Sequence, residues 1–345
     1  MTAAPEKAPL LDVRGLSIVY RTRREDVHAV SDVDIRLEDG DSLGLVGESG
    51  CGKSTLAMGL LGLLPSTAEM TATAVRFRGM ALPDLTERAF QALRWREIAF
   101  VPQSAISSLN PIATIHGHFR EAWEAHDGGT AEAMRAEAEA LFRSVELEPR
   151  WLDKYPHELS GGMRQRAIIA LSLLFGPSLL IADEPTTALD VIVQRQVLNV
   201  FRRLRRERQM ALIFVSHDIA VIAELCRSVA VMYAGRIVET GPTGALLTEA
   251  LHPYTMALAL AFPDIREPER ELVSIPGRPP ALDRPVVGCA FAPRCPFAAA
   301  RCHAETPPLR PFAGDRAAAC HFAEDAAAFR ARMKDGRAWA EAEAS

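Results

Sequence analysis

Gly47-Glu48-Ser49-Gly50-Cys51-Gly52-Lys53-Ser54 follows the apolar run Leu43-Gly44-Leu45-Val46 and leads into Thr55-Leu56-Ala57. The run has the length and composition of a buried strand, and Lys53 to Leu64 reads as a helix stopped by Pro65. A turn of the form G-x-x-x-x-G-K-[ST] between a strand and a helix is the arrangement in which such a turn cradles phosphate. Its glycines let backbone N–H groups converge on phosphate oxygens, and the helix start adds a favourable dipole. Lys53 then reaches the β- and γ-phosphates and the Ser54 hydroxyl ligates Mg²⁺, so the expected ligand is a nucleoside triphosphate. A merely structural glycine turn is the lesser reading in that context.

The rest of the chain suits an α/β core. Of its 345 residues 48% are hydrophobic and 24% charged, which excludes a disordered or collagen-like protein. A net charge of −5 makes nucleic acid an improbable default partner. No apolar run reaches the roughly 18–20 residues of a membrane span; the longest, Ile168 to Ala182, is broken at Gly176-Pro177. Pro5, Glu6, Lys7 and Pro9 precede no apolar core, so no secretory signal is expected, and a cytosolic chain is. Ile98–Val101, Leu179–Ala182, Leu212–Ser216 and Val229–Tyr233 read as further buried strands, and an Ala/Glu-rich insert from Phe119 to Val145 as a helical lobe. From Pro263 to Pro311 proline is too dense for helix or central strand, and an Ala-rich helix follows from about Ala323. The expected organisation is a flexible tail over 1–9, a nucleotide-binding domain over 10–265 with a helical subdomain near 104–165, and a C-terminal module over 266–345.

Three further segments carry chemistry. Leu179-Leu180-Ile181-Ala182-Asp183-Glu184 is an apolar strand ending in two carboxylates: Asp183 is placed to hold Mg²⁺ and Glu184 to polarise an attacking water. Leu159-Ser160-Gly161-Gly162-Met163-Arg164-Gln165 opens a helix with a second candidate anion turn. One γ-phosphate does not need two such turns from one chain, so the second is read as serving a partner subunit's nucleotide, against the plainer reading of a simple N-cap. Val215-Ser216-His217-Asp218 ends a strand in a histidine able to donate to γ-phosphate.

In this order and spacing the motifs resemble the ATP-binding subunit of an ABC transporter, over residues 10 to 325. Gly47 to Thr55 resembles Walker A, Gln103 the Q-loop, Leu159 to Gln165 the signature, Leu179 to Glu184 Walker B, and Thr187-Ala188-Leu189-Asp190 the D-loop. The resemblance implies a P-loop fold with a helical subdomain, ATP and Mg²⁺ as ligands, and two subunits closing head to tail. Each ATP would then lie between one Walker A (Gly47, Ser49, Gly50, Cys51, Gly52, Lys53, Ser54, Thr55) and the other subunit's Ser160, Gly161, Gly162 and Gln165. It further implies Glu184 as general base, His217 on the γ-phosphate, Mg²⁺ held by Ser54, Gln103 and Asp183, and Gln103 sensing the membrane subunits. Tyr20 stands where the family stacks an aromatic on adenine, and is equally readable as a half-buried strand residue.

Ser107-Ser108-Leu109-Asn110-Pro111, His252-Pro253-Tyr254-Thr255, Ile275-Pro276-Gly277 and Gly288-Cys289 with Arg294-Cys295-Pro296 resemble the importers of dipeptides, oligopeptides and nickel. That subfamily implies a paralogous ATPase partner in a heterodimer, two transmembrane permease subunits, an external substrate-binding protein, and a peripheral place on the cytoplasmic face of the membrane. Cys289, Cys295, Cys302 and Cys320 follow C-x5-C-x6-C-x17-C, which lacks the C-x2-C pairs of most zinc ribbons. A [4Fe–4S] cluster, supported by the resemblance, zinc with His303 and His321, and four unligated thiols are the open readings. Cys51 is read as a space-filling residue whose helix-start position could lower its pKa. A nickel or other small-solute importer, and a soluble ABC-type ATPase acting on nucleic acid or ribosomes, are the competing functions; the second lacks the long coiled-coil insert or second nucleotide domain it would need.

Overall fold

A computed structural model describes residues 8–23, 25–103, 108–126, 128–187, 189–261, 275–334 and 338. These divide into two compact units: residues 1–10, 37–42 and 77–215 form one, and 11–36, 43–76 and 216–345 the other.

In the first unit the expected buried runs form strands, and they pair in parallel. Ile98–Val101 lies parallel to Leu179–Asp183, and Leu179–Asp183 parallel to Ala211–Ser216. Leu179–Asp183 and Ala211–Ser216 are buried at every position, as strands covered on both faces must be. The insert is two helices, Ile115–Ala125 and Ala131–Ser144, each begun by a threonine (Thr114, Thr130) whose hydroxyl accepts a first-turn N–H. Gly129, at φ 101°, separates them in a conformation only glycine adopts cheaply. Helices Glu87–Leu93, Gly161–Ser172 and Val191–Arg208 belong to the same unit.

In the second unit Ser42–Val46 lies parallel to Ser228–Tyr233, which runs antiparallel to Arg236–Pro242. Arg316–Ala318 adds to Arg236–Pro242, and Arg310–Phe312 adds to Arg316–Ala318. The C-terminal module therefore supplies two short strands, with Pro311 in the outermost one, where a missing N–H is tolerated. Helix Pro253–Leu260 packs on helix Ala326–Lys334 through a core that includes Met256, Ala257, Leu260, Cys320 and Met333. The residues from Ile275 onward thus share a unit with the phosphate loop. The boundary expected near 262–268 lies outside the described residues, as does most of the 1–9 tail.

The helix after the phosphate loop is shorter than expected. It spans Lys53–Leu60, because Gly62 at φ 60° closes it: Gly62 N–H donates to Gly59 O and Leu63 N–H to Met58 O. That pair of bonds is the glycine-terminated helix end, and it acts before Pro65 is reached.

Candidate functional site

The phosphate loop is built by close approach. A Cβ on Gly47 would meet Met232 O at 2.1 Å, and one on Gly52, at φ 103°, would meet Ala29 O at 2.1 Å. Gly50 has φ 79° in open space, so its need for glycine is conformational. No side chain caps helix Lys53–Leu60, which leaves first-turn N–H groups for a ligand. Lys53 is 4% exposed, and its ammonium donates to Gly47 O (2.7 Å) and Glu48 O (3.0 Å). Ser49, Gly50 and Ser54 are exposed and Thr55 half-buried. The Tyr20 hydroxyl donates to Thr55 Oγ1 at 3.3 Å, tying this half-buried strand residue to the helix start. The Cys51 thiol corrects an expectation. Burial raises its pKa, and the opposing pull of the Lys53 charge is the smaller effect.

Glu48 is held from both ends. Its N–H donates to the Tyr254 hydroxyl at 2.9 Å, and its carboxylate accepts two bonds from Arg294, at 2.7 and 3.0 Å. Arg294 also donates to the Tyr233 hydroxyl and the carbonyls of Pro276 and Ile275. Tyr233, Tyr254 and Phe291 are buried and pack with ring centroids 4.6–5.4 Å apart. None of these partnerships has a sequence signal, since Glu48 and Arg294 stand 246 residues apart.

In the first unit, Gln103 and Glu184 follow the ends of neighbouring parallel strands, which brings them side by side. The Gln103 amide donates to Glu184 Oε2 at 3.0 Å, and Thr187 Oγ1 donates to the same oxygen at 3.0 Å. Glu184 has φ 44°, a conformation costly for a side-chain-bearing residue, and its N–H donates to Val215 O. The carboxylate is thereby oriented at the mouth of the strands, where α/β sheets bind ligands. Thr187, which opens the D-loop phrase, thus has a role that its motif does not signal. Asp183, just before it, is 4% exposed. Ser107 and Ala188 of the quoted phrases lie outside the described residues.

Ser160 is exposed and caps helix Gly161–Ser172 by accepting from Met163 N–H at 3.3 Å. Gly162 is buried, and a Cβ there would meet Val193 Cγ1 at 2.2 Å. Its glycine character thus serves the packing of this helix on Val191–Arg208. Gln165, grouped with these residues in the sequence, is only 3% exposed, in the interior behind the turn. His217 is exposed directly after strand Ala211–Ser216.

Cys289, Cys295, Cys302 and Cys320 line one small cavity of about 20 Å³, with His252, Phe291, Phe297, His321 and Phe329 around them. Burial raises the thiols of Cys289, Cys295 and Cys320, Cys320 to about 12, so thiolates there need a compensating cation. Four soft donors on one apolar cavity are the chemistry of a cluster site. No three His, Cys, Asp or Glu side chains among the described residues, however, are arranged to hold one metal ion. Among the described residues, then, neither the four-cysteine cluster site nor the zinc site with His303 and His321 is formed.

Comparison with known proteins follows the same lines. Residues 30–187 match the ABC transporter family, and residues 238–302 match the oligopeptide/dipeptide transporter C-terminal region. The chain is 44% identical over 317 residues to the putative peptide import ATP-binding protein BMEII0863 of Brucella melitensis, covering 88% of this chain and 94% of that one. It is 43% identical over 324 residues to the probable peptide ABC transporter ATP-binding protein y4tR of Sinorhizobium fredii, covering 93% and 97%. Among solved structures it resembles the dimeric bacterial ABC transporter cassette MJ0796, with a TM-score of 0.61 and 26% identity over 68% of this chain and 98% of that one. None of these matches speaks for iron. Motifs, fold and relatives agree, and the chain belongs to the ABC transporter family as an ATP-hydrolysing cassette.

Proposed function

We propose that this chain powers the import of peptides, binding and hydrolysing ATP for a transporter whose path lies in other subunits. The match of residues 238–302 to the oligopeptide/dipeptide C-terminal region carries the substrate class, and the relatives named for peptide import support it. No helix among the described residues is long and apolar enough to cross a membrane, which agrees with a path supplied by permease subunits. In the finer reading the partner is a paralogous ATPase, a substrate-binding protein delivers the peptide, and the chain works at the cytoplasmic face of the membrane.

The chemistry is positioning and charge stabilisation. Lys53 would leave the carbonyls of Gly47 and Glu48 for the β- and γ-phosphates, while Ser54, Gln103 and Asp183 would hold Mg²⁺. Glu184, kept in place by Gln103 and Thr187, orients water for attack, and His217 steadies the γ-phosphate. Ser160 and Gly161 complete the pocket of the other subunit. Vesicles containing the permease subunits test this reading: peptide uptake is expected to require ATP and this chain, and uptake indifferent to both would end it. Glu184→Gln is expected to bind ATP, to dimerise, and to lose at least about a hundredfold in hydrolysis, the scale of removing a group that acts in the transition state. Normal turnover in that variant would remove Glu184 from its role.

The C-terminal module over 266–345 is proposed to hold a [4Fe–4S] cluster on Cys289, Cys295, Cys302 and Cys320, supported by their convergence on one cavity. Anaerobic purification should give a brown, iron-containing protein, with colour lost in Cys295→Ser. A colourless, iron-free wild type would leave four unligated thiols.

A further inference from the structure

A phosphate loop has reason to avoid negative charge, because the triphosphate it wraps is itself highly anionic. Glu48 stands inside this loop, one residue after Gly47 and five before Lys53. Its carboxylate does not stand alone: both oxygens take a bond from Arg294, whose side chain is 6% exposed against 25% for Glu48. A two-bond guanidinium–carboxylate pair fixes direction as well as charge. The guanidinium is fixed in turn by the carbonyls of Pro276 and Ile275 and by the hydroxyl of Tyr233. Arg294 immediately precedes Cys295, and its neighbours Phe291 and Ala292 line the cavity of the four cysteines. One covalent step therefore separates the cysteine cavity from the residue that holds the phosphate loop.

We propose that Arg294 is a positioning residue for ATP binding: it draws the Glu48 carboxylate out of the phosphate site and neutralises it, so that the cysteine module sets the affinity of the loop for nucleotide. The proposal rests on the reading of Gly47–Ser54 as the ATP site. Loss of Arg294 frees a carboxylate to face the phosphates, and the penalty falls on binding. The hydrolytic step, which belongs to Glu184, is untouched. The penalty is electrostatic, so it shrinks as salt rises.

Titration of the full-length chain with Mg²⁺·ATP tests this, alongside steady-state hydrolysis in the assembled transporter. Arg294→Gln should weaken ATP binding about tenfold, within the usual span of coupling between sites. The KM for ATP should rise accordingly, with kcat unchanged. Arg294→Lys should recover part of the loss. Glu48→Gln/Arg294→Gln should recover most of it, because no carboxylate remains to be compensated. Glu48→Gln alone should bind ATP at least as tightly as wild type, and this variant carries the test if Arg294→Gln does not fold. Wild-type affinity in Arg294→Gln, a double variant as weak as Arg294→Gln, or a tenfold loss in Glu48→Gln would each overturn the proposal. Absence of ATP binding by the wild-type chain, with Lys53→Ala no different, would sink the ATP site itself and the proposal with it. Binding that ignores Arg294 sinks only the clamp.

Discussion

Two glycine turns open helices in this protein, and they need glycine for different reasons. At the phosphate loop the constraint is backbone: Gly50 and Gly52 have positive φ, and the space beside Gly47 and Gly52 is filled by the carbonyl oxygens of Met232 and Ala29. At the signature turn the constraint is a neighbour's side chain, since Gly162 meets Val193. A carbonyl in a strand cannot be trimmed away, whereas a valine can. The first turn is thus held by fixed backbone, and the second by a side chain that substitution can remove.

That difference can be broken by substitution. Gly47→Ala should have the larger effect: overpacking commonly costs about 1–3 kcal/mol, and a contact at 2.1 Å with fixed backbone belongs at the upper end or beyond. Thermal unfolding should show the loss, ATP binding should fail, and no side-chain truncation nearby should restore it. Gly162→Ala should cost about 1–3 kcal/mol, and Gly162→Ala/Val193→Ala should recover much of that in the same unfolding experiment. Absence of rescue there, or rescue of Gly47→Ala by a truncation, would erase the distinction. Ser160→Ala should have the smallest effect on stability, about 1 kcal/mol for a lost N-cap. If Ser160 serves a partner's nucleotide, the same change weakens ATP-driven dimerisation by more than its stability cost predicts.

The cysteine module gives a third contrast with the phosphate loop. Gly47–Ser54 could be read at sight because eight consecutive residues carry the whole device. The four cysteines spread over 32 residues of chain, and their spacing left zinc and idle thiols open beside the favoured cluster. Folding draws them to one cavity, and burial raises the pKa of Cys289, Cys295 and Cys320.

Other differences have equally specific causes. Helix Lys53–Leu60 stops early because Gly62 supplies the terminating conformation, a signal present in the sequence but outweighed there by the more conspicuous Pro65. The resemblance of Leu159 to Gln165 to the signature places Gln165 beside Ser160, yet on a helix a displacement of five residues turns the side chain to another face, and Gln165 is buried. The lowered Cys51 pKa expected from a helix start lost to desolvation, which depends on what else packs around the thiol.

By itself the sequence determined the α/β alternation, the phosphate loop, the carboxylate pair after Ala182 and the order of the remaining motifs. Each is a local pattern, fixed by residues a few positions apart and by backbone chemistry that travels with them. Only the tertiary structure decided that Gln103 and Thr187 share the carboxylate of Glu184, that Val193 fills the space beside Gly162, and that Arg294 reaches Glu48. Apart from the bond from Thr187, three positions from Glu184, those contacts join residues far apart in the chain, and no local pattern specifies which distant side chain the folded backbone will bring within reach.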